Sequence, residues 1–185
     1  MQGKAQQFWE YFQEAIAGAE ELKEKWETPK AFTACMLKKL SEVVEERMGY
    51  VPEREYYRID LIGYAKKEEK HSLHRSLQSY TWNLELAIEH ENDYRLWADE
   101  VVKLAHIACP LRVVIGYLPQ DENRYPREKV MKKLAKSLKD VKAWALTKSE
   151  PFLLIIGDCK LKSDEDRCRY RAYLYQSDAD TFVQI

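Results

Sequence analysis

The chain has 185 residues, 45% of them apolar and 12% aromatic, which suits one folded domain of ordinary size and excludes wholesale disorder. Charged residues make up 33% but cancel to a formal −1, so coating nucleic acid by bulk charge is excluded and only a local patch is left open. The N-terminus is polar, and no apolar run approaches the ~20 residues of a spanning helix. Cys35, Cys109, Cys159 and Cys168 include no C-x-x-C pair, so the expectation is a cytoplasmic protein with reduced thiols and no membrane partner.

Residues 4–27 read as helix, with Phe8, Phe12, Ile16, Ala19, Leu22 and Trp26 recurring at threes and fours. Thr28-Pro29 restarts a helix that runs to Met48, because Thr suits a cap, Pro fits the first turn, and Gly49 suits the end. Glu42, Glu45 and Glu46 sit near its last turns, either solvated or turned towards an acidic site. Tyr56 to Ala65 reads as the first strand, and Asp60 in its middle is an oddity because strands are depleted in Asp. A charged connection over 66–78 carries His71 and His74, read as solvent-exposed. Ser79 to Glu91 supplies the second strand.

A helix is expected from about Tyr94 to Ile107, then a buried strand over Leu111 to Leu118, bounded by prolines. Arg127 to Leu146 reads as a long helix whose Lys129, Lys132, Lys133, Lys136 and Lys139 face solvent or a polyanion. Phe152 to Lys160 and Arg167 to Gln176 form a terminal hairpin. A hairpin feeding a helix that crosses to a further strand implies a mixed α+β fold, a central mixed sheet with helices on both sides. The chain divides into a helical extension (1–28), a core (30–118) and a helix with a terminal hairpin (119–185), all within one domain.

The stretch that organises this reading is Leu84 to Asn92. With period two, Leu84, Leu86, Ile88 and His90 take one face, and Glu85, Ala87, Glu89 and Glu91 the other. Acids spaced about 6–7 Å apart repel, and Glu gains nothing from a strand by propensity. Such a ladder is either a solvated outer face or the carboxylates of a cation site.

Asp60 within Tyr57-Arg58-Ile59-Asp60-Leu61, then Ala87-Ile88-Glu89-His90-Glu91, a helix and an apolar strand together resemble the PD-(D/E)xK nuclease superfamily, whose fold is restriction-endonuclease-like. The resemblance covers about residues 30–118. It implies that Asp60 and Glu89 bind Mg2+ or Mn2+, with the His90 carbonyl as a third ligand and its side chain turned into the core. Ile59 stands where the motif often has proline. Glu91 stands where it usually has the lysine that aids the attacking water. Either Glu91 holds or deprotonates that water, or a lysine reaches in from the next helix, where Lys103, near Glu100, is the candidate. Glu85 lies outside the direct ligands.

The chemistry is coherent, since phosphodiester hydrolysis needs a hard cation to neutralise developing charge and acidify bound water. Two functions follow from the resemblance. One is a magnesium-dependent nuclease with nucleic acid as partner, DNA before RNA, in a chain compatible with a homodimer. The other is a catalytically inactive protein of that fold, which binds protein or nucleic acid through the old cleft.

Overall fold

A computed structural model describes residues 2–17, 19–25, 28–65, 83–119, 126–159 and 169–185. The elements are α1 (Gln2–Ala17), α2 (Glu20–Lys25), α3 (Pro29–Glu42) running into a π-helical turn (Val43–Arg47), β1 (Val51–Tyr56), β2 (Ile59–Ala65) and β3 (Asn83–His90). Then come α4 (Trp97–Ala105), β4 (Arg112–Pro119), α5 (Arg127–Lys139), α6 (Trp144–Thr147), β5 (Phe152–Cys159), β6 (Tyr170–Gln176) and β7 (Thr181–Gln184). All seven strands join one sheet in the order of the chain. The outer pairs β1–β2, β2–β3, β5–β6 and β6–β7 are antiparallel, whereas β3–β4 and β4–β5 are parallel.

Helices cover both faces, so the expected mixed α+β sheet is what the chain forms. Phe8, Phe12, Leu22, Met36 and Leu40 from α1–α3 pack on Leu61, Leu86, Ile88, Val113, Ile115 and Ile155. On the opposite face, Trp97, Val101 and Leu104 of α4, Met131 and Leu138 of α5 and Trp144 of α6 cover Ala87, Val114, Leu154 and Ile156. The parallel strands are therefore buried on both faces, which explains their unbroken apolar runs. Helix α4 is seated closely: a Cβ on Gly116 of β4 would lie 2.6 Å from Cγ of Trp97. The missing side chain lets the indole rest on the strand and sets the depth of α4 over the sheet.

Several boundaries differ from the sequence reading, each for a local reason. The expected first strand, Tyr56 to Ala65, is the end of β1 plus β2, because the chain reverses at Tyr57–Arg58. Strand β1 is an edge strand containing Pro52, a residue that sheets confine largely to their edges, and it shows no apolar alternation. Strand β7, another edge strand, was also unanticipated.

The first helix is two, α1 and α2, and the second widens into the π turn, where the Met48 N–H bonds the Val43 carbonyl five residues back. Gly49 then takes φ +72° and ends it, a conformation that glycine adopts without penalty. Thr28 makes no side-chain cap bond. The helix expected over Arg127 to Leu146 breaks between Lys139 and Trp144 into α5 and α6.

The expected acidic ladder does not run the length of β3. Gly63 pairs with Leu86 while Tyr64 pairs with Leu84, which leaves Glu85 as an extra residue in a β-bulge. An extra residue reverses the alternation, and Glu85 turns to the α1 side, where Lys4 Nζ lies 2.9 Å from its Oε2. Glu89 keeps the opposite face.

Candidate active site

The site forms where the β1–β2 turn meets the end of β3 beneath α4. Tyr57 and Arg58 both hold left-handed backbone, φ +48° and +65°. Two such residues in a two-residue loop suit a hairpin between right-twisted strands, but neither is the Asn or Gly that takes this conformation cheaply. The turn is held from outside: Lys103 Nζ of α4 donates to the Arg58 carbonyl at 3.0 Å. The register, with Leu61 opposite Ile88, sets Asp60 level with Glu89. Asp60 Oδ2 accepts the His90 N–H at 2.8 Å, and its carboxyl stands beside that of Glu89.

Glu89 is only 1% exposed. Lys103 Nζ approaches its Oε1 to 2.9 Å and also touches Glu100 Oε2. Both of these oxygens are buried, and the Lys103 ammonium is the cation that meets them. Asp60, Glu89, Glu100 and Lys103 thus form one cluster, in which Glu100 and Lys103 share a helix face at a spacing of three residues.

Burial dominates the electrostatics. It pushes the Glu89 carboxyl up to about 8, the Lys103 ammonium pulls the other way, and Asp60 adds a further upward push. Burial also raises Asp60, against the pull of the His90 N–H and of Lys103. Lys103 is itself held above the ordinary lysine value: burial opposes this, but the Glu100 and Glu89 carboxyls beside it outweigh it. Around neutral pH the cluster therefore keeps a proton on Glu89 and a charge on Lys103.

The site offers oxygen donors of the kind a hard cation takes. The Glu91 N–H bonds the Ile115 carbonyl of β4 at 3.0 Å. A trans peptide unit points its C=O and N–H in opposite directions, so the His90 carbonyl turns away from β4, to the β2 side where Asp60 lies. Two carboxylates and a carbonyl make an oxygen-only set, sufficient for magnesium, which keeps several waters. Among the described residues no three acid, histidine or cysteine side chains converge at metal-ligand spacing. The donor types are those a hard cation takes, and a magnesium ion there would draw its remaining ligands from water.

The other residues singled out in the sequence fall elsewhere. The Glu91 carboxylate accepts the Asp93 N–H at 2.7 Å and shapes the entry to α4. The His90 side chain is buried on the reverse face, with Nε2 3.0 Å from the Tyr117 hydroxyl and Phe32 beside the ring, and burial lowers its pKa to about 3. Glu42 pairs with Lys38 and Lys39, and Glu45 and Glu46 are exposed. The five lysines of α5 are exposed, with Lys139 paired to Asp180. His71 and His74 lie outside the described residues. Sequence reasoning named Glu100 only as a neighbour; its i,i+3 spacing to Lys103 was the available signal. No protein-family model matches the chain, and no curated protein matches it.

Proposed function

We propose that the protein is a magnesium- or manganese-dependent nuclease that hydrolyses phosphodiester bonds of nucleic acid, with DNA the favoured substrate and a site of PD-(D/E)xK character. The observation that carries this reading is Lys103 Nζ, 2.9 Å from Glu89 Oε1 and beside Asp60. A lysine delivered by α4 supplies the charge that position 91, a glutamate, lacks. The element order is compatible with the reading: a helix, the antiparallel strands that carry Asp60 and Glu89, a helix, and an apolar strand parallel to the one with Glu89.

Asp60, Glu89 and the His90 carbonyl would hold the cation, which supplies Lewis acidity at the scissile phosphate and an acidified water. Asp60 is oriented for this by the His90 N–H. Glu89 must first release its proton, so the site works better above neutral pH than below it. A protonated ammonium cannot accept a proton, so Lys103 acts by charge, donating hydrogen bonds to the oxygens on which negative charge develops.

A second reading, an inactive protein that binds through this cleft, is favoured by the same lysine, because Lys103 neutralises the acids without any metal. One assay separates the two. Purified protein with Mn2+ or Mg2+ should nick supercoiled DNA, Glu89→Ala should abolish nicking without unfolding the chain, and Lys103→Ala should slow it about 10²–10⁴-fold. Glu91→Ala, by contrast, should cost less than about tenfold, because its carboxylate serves the Asp93 amide. Absence of cleavage of single- and double-stranded DNA and RNA with either metal, by the parent and by Glu91→Lys, would leave the binding module.

A further inference from the structure

The contacts of one ammonium lead further, into how this site is regulated. Lys103 Nζ makes a single directed hydrogen bond, to the Arg58 carbonyl, yet it lies 2.9 Å from Glu89 Oε1 and against Glu100 Oε2. Both of those oxygens are buried and have no hydrogen-bond partner, and Glu89 as a residue is 1% exposed. An ammonium usually satisfies buried acceptors through its N–H directions. Here one ammonium stands against two carboxyls at once, in the place that a metal cation would take. The rest of its side chain is open: 35% of it is exposed, against 2% for Glu89. A flexible four-carbon stem with a route to water can vacate the position at little cost in buried surface.

We propose that Lys103 is the resident counter-ion of this carboxylate cluster and that a divalent cation must displace it from Glu89 and Glu100, so that the lysine sets how tightly the centre takes the cation. This rests on the nuclease reading and adds a control to it. Like charges repel most strongly where water is excluded, so an ion at Glu89 and the ammonium at 2.9 Å cannot both remain. Once the ammonium leaves, Glu100 loses its buried partner and becomes a third carboxylate for the incoming ion. That accounts for three neighbouring acids that do not converge while the lysine stands between them.

Isothermal calorimetry of Mn2+ binding to the full chain at pH 8 tests this without reference to turnover. Lys103→Met and Lys103→Gln, with folding checked by circular dichroism, should each bind Mn2+ at least tenfold more tightly than the parent. Adding Glu100→Gln to Lys103→Met should reverse most of that gain. If the parent binds Mn2+ and both lysine variants bind it equally or more weakly, the competition is refuted while the nuclease reading stands. If the double variant keeps the full gain, the role given to Glu100 is overturned. If no variant binds at millimolar Mn2+, the metal reading falls and the competition falls with it.

Discussion

Two buried charges on the same face of the sheet are handled in opposite ways. Arg112 opens β4 opposite Ala87, and Glu89 stands two residues further along the same ladder. Arg112 is fully buried, and its guanidinium donates to Thr147 Oγ1 at 2.9 Å, the Thr147 carbonyl at 2.6 Å and the Glu150 carbonyl at 2.8 Å. The rings of Trp144 and Phe152 lie 4.9 and 5.2 Å from it. Its positive charge is met by oriented carbonyl dipoles and ring faces, none of which can leave. Glu89, equally buried, is met by a lysine with a path to solvent. Burial of a charge therefore does not by itself mark a functional group. What separates the two is whether the compensating group can be exchanged, since Arg112 Nε, like Glu89 Oε1, has no hydrogen-bond partner.

The largest expected effect lies on the structural side. Arg112→Met leaves three acceptors orphaned and removes a packed side chain, so urea unfolding should show a loss of about 3–5 kcal/mol. Mn2+ binding by the folded fraction should be unchanged. A loss below about 1 kcal/mol would erase the contrast, because Arg112 would then be as dispensable as an exposed charge.

The next effect belongs to Glu89. Magnesium or manganese at a hundredfold excess over Kd should stabilise the parent by about 2.7 kcal/mol. Glu89→Gln, at least as stable without metal because it removes a buried acid, should lose the response, and thermal melts with and without the ion read both. A parent whose Tm is indifferent to both ions would leave Glu89 no different in kind from Arg112.

Taken per pH unit, the smallest effect concerns the titration of Glu89. A carboxyl raised on folding holds a proton that the unfolded chain has released. Its contribution is complete below the unfolded value near 4.5 and is lost as pH rises towards about 8. Stability should therefore fall across that window by up to about 1.4 kcal/mol per pH unit, with Asp60 acting in the same direction. Glu89→Gln should flatten the slope, whereas Arg112→Met should leave it intact. A parent that gains stability across the window would show that Glu89 folds already ionised.

Composition and periodicity by themselves determined a great deal here. They settled the mixed α+β class, the apolar strands of the parallel centre, the amphipathic α4 and α5, and the presence of two acids, Asp60 and Glu89, in strands that disfavour them. These properties are local, since each follows from which residues recur at two or at three and four along one segment. What depended on pairing was not legible. The edge strands β1 and β7 escaped notice because an exposed edge needs no apolar alternation. The bulge at Glu85 reversed the facing of one acid, and a single extra residue in a ladder shows only against its partner strand. The cluster itself was decided by tertiary structure alone. Gly116 sets the depth of α4 through Trp97, α4 carries Lys103 and Glu100 over the end of β3, and the Tyr57–Arg58 turn brings Asp60 level with Glu89. Charges 43 residues apart along the chain (60 to 103) interact only after burial strips away the water that would screen them.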